Sequence, residues 1–218
     1  AQPRSSVRFE PEVYTVEIHP DVAAKLDASA TLYNASLSEA LFACWYTLLW
    51  RITGQSDIAI STVYSGRKYE ELHEVLGLLA KWLPVRCSLQ NNLKFSEILS
   101  KVGENLREVD QWQEYFVREE STDSDNDAVN FPIGFEFEEW FDKYRAGDVS
   151  FSIYQQYVCF DRFKLKLSCI QKKEHIIAEF HYDTELFDKA AIQCIAKQFK
   201  TVVESAANNP DAAISELN

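Results

Sequence analysis

The stretch "LFACWYTLLWRITGQSDIAISTVYSGRKYEELHEVLGLLAKWLPVR", Leu41 to Arg86, decides the architecture. Its first part continues a helix announced by Ser36 and Glu39, a capping-box pair, after which Leu37, Leu41, Cys44, Leu48 and Ile52 recur at helical spacing until Gly54. The helix is apolar nearly all round, which predicts burial. "DIAISTVYS" then reads as a short β-branched strand of the kind found deep in a sheet, and it stops at Gly66. A Gly66-Arg67 turn, a charged segment and a second glycine, Gly77, lead to "LPVRCSL". There Leu83, Val85, Cys87 and Leu89 share one side and Arg86 and Ser88 the other, as in a second strand of the same sheet.

Working outward, "VYTVEI" alternates Tyr14, Val16 and Ile18 on one strand face and ends at His19-Pro20. From Phe95 to about Gln113, the positions Phe95, Ile98, Leu99, Val102, Leu106 and Val109 describe an amphipathic helix that lies on the sheet. "FPIGFEFEEW", "VSFSIYQQYVCF", "FKLKLSCI" and "IIAEFHYD" read as four further strands, the last two joined at "QKKEH". Ala191, Cys194, Ile195, Phe199, Val202 and Val203 then mark a helix from Phe187 to Ala206, with Asp188 as its cap and Pro210 beyond its end. The expected class is α+β, an α/β sandwich with a mixed, mostly antiparallel sheet covered by helices. The run Arg118 to Ala128 is polar and acidic and predicts a mobile surface loop at 118–128.

With 218 residues, 46% of them hydrophobic, the chain has ample material for a packed core. Its 22 Lys and Arg against 34 Asp and Glu give a net charge of −12, which argues against a phosphate-neutralising surface and hence against nucleic acid. The longest apolar run, Ala40 to Trp50, is too short to span a bilayer, and no signal pattern opens the chain, so no membrane partner is expected. The five cysteines, Cys44, Cys87, Cys159, Cys169 and Cys194, form no CxxC pair, and four of them read as core, consistent with reduced thiols in the cytoplasm.

Candidate chemistry is sparse. Of His19, His73, His175 and His181, only the last two are close in sequence, and no carboxylate or thiol completes a four-ligand metal set around them. Glu136 and Glu138 fall on one strand face, with Glu139 and Asp142 beside them, a pattern read either as paired carboxylates or as a solvated face, the latter favoured. No GxSxG elbow and no glycine-rich phosphate loop occur. Arg67, held after a glycine turn, can fork onto a carboxylate; clamping Glu70, Glu71 or a helix C-terminus competes with a substrate contact. Gly77 marks either a close backbone approach or the end of a turn.

The series from Leu41 to Arg86 resembles the condensation domains of nonribosomal peptide synthetases, in which a buried helix, a GQxD turn, a GR turn with an acidic EL pair and an IGxFVNTLPLR pattern follow one another. The matching positions are Gly54, Gln55, Asp57, Gly66, Arg67, Glu71, Leu72, Gly77, Leu83, Pro84 and Arg86. "DQWQEYF" is similar to the family's HQDYPFE through Gln113 and Tyr115, and Tyr182, Leu186 and Phe187 match its closing strand and helix. The resemblance covers the second half of the family's domain. It implies a chloramphenicol-acetyltransferase-like C-terminal lobe over residues 1–218, with 1–12 as interlobe linker and 208–218 as exit linker.

The family's HHxxxDG string, placed in the first half, is absent from this sequence, and no catalytic residue is expected here. Lys81 and Trp82 replace the Asn-Thr pair, Trp112 replaces the His of HQD, and its Pro is missing. What the resemblance implies is one wall of a peptide-bond-forming chamber, with Gly66, Arg67, Lys81, Trp82 and Gln113 at the channel or interlobe contact. The implied partners are the N-terminal condensation lobe, acyl or peptidyl carrier domains bearing phosphopantetheine, and an adjacent adenylation domain. No cofactor or metal is bound directly on this reading. The alternatives are a non-catalytic lobe that docks carrier domains, with Lys164, Lys166, Lys172 and Lys173 as its basic patch, and, disfavoured by the linker-like ending, a coenzyme-A-dependent acyltransferase.

Overall fold

The structure is a computed structural model, and it describes residues 11–116, 132–140, 144–152 and 163–217. Residues 1–10, the segment 118–128, Asp142, Cys159 and most of "SIYQQYVCF" lie outside the described residues. The elements run β1 (Pro11–Ile18), α1 (Pro20–Leu32), α2 (Leu37–Thr53), β2 (Asp57–Tyr64), β3 (Lys81–Ser88), α3 (Phe95–Trp112), β4 (Ile133–Glu139), β5 (Tyr144–Ala146), β6 (Val149–Phe151), β7 (Leu165–Lys172), β8 (His175–Asp183) and α4 (Lys189–Asn208). Pro11 and Glu12, expected within a linker, already belong to β1. Of "VSFSIYQQYVCF", the described part carries β6, the second strand of an exposed two-stranded hairpin, β5–β6, separate from the main sheet.

The main sheet has six strands in the order β1-β8-β7-β4-β2-β3. Three of its pairings are antiparallel, β1–β8, β7–β8 and β2–β3, and two are parallel, β2–β4 and β4–β7. The sheet is therefore mixed and mostly antiparallel. Pro84 sits in β3, an edge strand, where its missing N–H leaves no interior ladder bond unmade.

Register determines what each face carries, because residues paired across strands share a face. One row reads Leu83, Thr62, Phe135, Leu167, Phe180, Tyr14, and it faces the helices. Phe42 of α2 stacks on Phe135 at 4.6 Å, Trp45 meets Phe180 edge-on, and Phe199 of α4 packs on both Trp45 and Phe180. Tyr46 donates to the Val85 carbonyl, and Tyr64 of β2 reaches the Leu106 carbonyl of α3. The next row, Pro84, Ser61, Gly134, Lys166, His181, Val13, faces away, and among the described residues no helix packs on it.

α2 is the centre of the helical layer. Its Ser36–Glu39 capping box forms on both sides, Gly54 ends it in the left-handed region at φ 67°, and Ala40 through Leu49 is buried without interruption. A helix buried on every side needs neighbours on every side, and α1, α3, α4 and the sheet supply them. The sequence reading passed over α1. His19 caps it by accepting from the Asp21 N–H, Pro20 opens it, and Ala23, Leu26 and Ala30 go to the core. On α4 the buried stripe is Ile192, Ala196, Phe199, Val202 and Val203, so Cys194 and Ala191, expected inside, are exposed.

The stretch after α4 is docked on the body. Phe95 and Ser96 at the start of α3 donate their backbone N–H groups to the carbonyls of Ala212 and Pro210, and Ile214 and Leu217 are buried. Arg51 of α2 donates to the Leu217 carbonyl. The tail thus fills the orphan donors of a helix N-terminus.

Candidate functional site

Gly66 sits where β2 ends. Its φ of 65° lies in the left-handed region, and a Cβ there would stand 1.8 Å from the backbone oxygen of Leu79. The glycine therefore lets the outgoing chain cross the chain returning to β3. Gly77 has φ 151° and open space around its missing Cβ, so of the two readings it marks a turn and not a close approach. Arg67 does not clamp Glu70, Glu71 or a helix end; its Nη2 donates to the Gly77 carbonyl at 3.4 Å, tying the two ends of the excursion together.

The other residues singled out from the sequence gather at the same end of the sheet. Lys81 opens β3 and donates from Nζ to the Gln113 carbonyl and to Glu114, both at 3.3 Å. Gln113, just past α3, is buried; its amide N–H donates to the Asp110 carbonyl and carboxylate, which fixes its orientation, and its Oε1 has no hydrogen-bond partner. Lys68 donates to the Gln111 carbonyl at 2.9 Å. Gly66, Arg67, Lys81 and Gln113 therefore line one region, where the segment between β2 and β3 meets the C-terminus of α3.

Trp82 points to the helix-free face. There the carboxylates expected to form a solvated strand face are instead engaged. Lys166 Nζ donates to Glu136 Oε2 at 3.0 Å, with only 5% and 12% of the two side chains exposed. Its ammonium also lies over the rings of Trp82 and Phe163, at 5.7 and 5.5 Å. Gly134 makes room, since a Cβ on it would come within 3.0 Å of Lys166 Cγ and 3.5 Å of the Trp82 ring. A buried lysine so surrounded is consumed locally and cannot serve a basic surface patch. Lys164 and the pair Lys172–Lys173 flank opposite ends of β7, so the four lysines form no patch.

Glu138, two residues on, accepts from the Trp140 indole N–H at 2.7 Å. Burial pushes its carboxyl above the usual carboxylate range, the neighbouring Glu136 adds to this, and the indole N–H opposes it. Glu179 is held below that range by its hydrogen bond with His181, against the opposing effect of burial.

The histidines are not brought together. His175 pairs with Glu17 on β1, His181 with Glu179, and His19 caps α1. Among the described residues no group of three or more His, Cys, Asp or Glu has the spacing of a metal site, and no helix is long and apolar enough to cross a membrane. Cys44, Cys87 and Cys169 are buried; burial pushes the thiols of Cys44 and Cys169 well up and that of Cys87 to about 11, which disfavours the reactive thiolate.

Two measurements check this geometry. Gly66→Ala forces a methyl group into backbone and is expected to destabilise the fold by about 3 kcal/mol or more, whereas Gly77→Ala, strained in φ but unobstructed, is expected to cost about 1 kcal/mol, both read by urea denaturation. Because the folded state holds the Glu138 proton above its unfolded value, that carboxyl takes away stability as pH rises through the folded value. Glu138→Gln is therefore expected to raise the thermal midpoint at pH 7 and to leave it nearly unchanged near pH 4, where the wild-type carboxyl is already protonated.

Comparison with known proteins bears on the family and the fold. The Condensation domain family matches residues 2–218. Surfactin synthase subunit 1 of Bacillus subtilis (strain 168) is 25% identical over 224 residues, covering 98% of this chain and 6% of that protein. Among solved structures, the condensation domain of the Monacolin K polyketide synthase MokA superposes with a TM-score of 0.78 at 15% identity, covering 94% of this chain and 49% of that one. The first condensation domain of the CDA synthetase gives 0.79 at 17% identity, covering 98% of this chain and 48% of that one. The chain thus spans about half the length of these solved domains and a small part of the curated synthase. It belongs to the condensation domain family.

Proposed function

We propose that this chain is the C-terminal lobe of a condensation domain that forms an amide bond between an acyl or peptidyl thioester and an amine, both tethered to carrier domains by phosphopantetheine. The observation that carries this reading is the coverage: nearly all of this chain superposes on about half of a solved condensation domain. The resemblance of the sequence, through the GQxD and GR turns and the closing Tyr182–Phe187 segment, supports reading the match as the second half.

In this role the lobe supplies position and not proton transfer. Its described histidines are engaged by Asp21, Glu17 and Glu179 or, like His73, lie exposed on the excursion after β2, and its buried thiols stay protonated. The helix-free face and the adjoining end of β2 and β3 would form one wall of the chamber. Holding thioester and amine in register turns a bimolecular aminolysis into an effectively unimolecular one, an effect that lowers a barrier by roughly 7–11 kcal/mol. The imidazole that handles the proton would come from the HHxxxDG string of the other half, which these 218 residues lack. The carrier domains, and an adenylation domain that loads them, are the partners this reading requires.

A second reading has its own support. Lys81 and Trp82 stand where the family has Asn-Thr, and Trp82 is locked against Lys166 and over Gly134. A position so filled suits a lobe that docks carrier domains without catalysing. Both readings are tested with an acyl-loaded donor carrier and an aminoacyl-loaded acceptor carrier, scored for the amide by mass spectrometry. The full domain is expected to give product and this chain alone none above background; product from the chain alone overturns the first reading. Carrier binding without product in the full domain favours the second.

A further inference from the structure

Around Gly66 and Gln113 several large apolar side chains reach solvent. Leu76 is 99% exposed, Tyr115 75%, Leu78 72%, Trp112 58% and Tyr69 54%. Of the other large apolar side chains that reach solvent, Leu32 on α1 and Leu186 before α4 stand apart, and Tyr144, Val149 and Phe151 form a smaller group on the β5–β6 hairpin. Isolated exposed leucines need no explanation, but a cluster of this size marks a contact surface.

The five residues come from two segments, and the structure joins them. Lys68 donates to the Gln111 carbonyl, Lys81 to the Gln113 carbonyl, and the rings of Trp112 and Tyr115 lie 5.5 Å apart. The segment between Gly66 and Lys81 is fixed at both ends, by the Gly66–Leu79 crossing and by the Arg67–Gly77 hydrogen bond, although only a single 3-10 turn, Glu70–Leu72, is regular within it. An apolar group held in place by polar ties beneath it, with Glu70, Glu71, His73 and Glu74 exposed beside it, has the composition of an interface centre with a charged rim.

We infer that this surface is the seat of the other half of the condensation domain, with Tyr69, Leu76, Leu78, Trp112 and Tyr115 as its apolar contact. The inference rests on the two-lobe reading above and adds the place where the lobes meet. The occupant follows from the coverage, since about half of each solved domain lies outside the match and has to be packed against some face of this one. A second copy of this chain fits poorly. Two copies meeting here would bring the exposed Glu70, Glu71 and Glu74 of each near those of the other, in a protein already carrying −12.

The test uses the full condensation domain with a protease site placed within residues 1–10. After cleavage the two halves are expected to co-elute on size exclusion, and to separate on dilution at a concentration about 100-fold higher when the domain carries Leu76→Asp and Leu78→Asp. Leu32→Asp, an exposed substitution away from the surface, is expected to shift that concentration less than about threefold. Equal sensitivity to both sites, or none to the double substitution, overturns the placement while leaving the two-lobe reading intact. Separation of the unsubstituted halves at every concentration overturns both. Self-association of this chain through the same leucines, or saturable binding of a carrier domain there in the full domain, assigns the surface to a different occupant and overturns the inference.

Discussion

Burial of α2 on all sides is the constraint from which the rest of the fold follows. A helix that sends every residue from Ala40 to Leu49 out of water cannot rest on a sheet alone. Each large apolar side chain so buried contributes roughly 1.5–3 kcal/mol, and Phe42, Trp45, Leu41 and Leu48 are held by different neighbours. α1, α3 and α4 surround α2, and the sheet closes the remaining side. All four helices are thereby committed to one face.

The opposite face has no helix among the described residues and has solved its own electrostatics. Glu136 is neutralised by Lys166, Glu179 is hydrogen-bonded to His181, and Glu138 holds its proton more tightly than a free carboxyl. Such a network is self-sufficient, and replacing both partners of a buried pair by apolar groups often costs little, so stability alone does not explain its presence. What it provides is a fixed arrangement of Trp82, Lys166 and Gly134 on the face that the functional reading turns toward the chamber. The end around Gly66 and Gln113 is different: its large apolar side chains reach solvent.

How much of this the sequence revealed depended on how local the signal was. The capping box, the helix end at Gly54, the alternation of Leu83, Val85 and Cys87 and the cap at Asp188 are decided by neighbours within a few residues, and each appears as expected. α1 was passed over because its core positions are mostly alanines, whose pattern is faint; His19-Pro20 with Asp21 was the available clue. The tie between Glu136 and Lys166 depends on the register of β4 against β7, thirty positions apart in the chain, which no period reveals. Arg67 stands out in the sequence by its glycine turn, yet its acceptor is a carbonyl ten residues on, visible only once the excursion folds back.

The central claim is that one side of the sheet is sealed by the chain's own helices while the end around Gly66 and Gln113 waits for a neighbour. Amide hydrogen exchange, compared between this chain alone and the full condensation domain, addresses it directly. The account predicts that residues 66–80 and 111–116 exchange quickly in the isolated chain and slow by at least about tenfold in the full domain, with α2 protected in both. Rapid exchange of those two segments in the full domain as well, or slowing confined to the outer faces of α1 and α4, would contradict it.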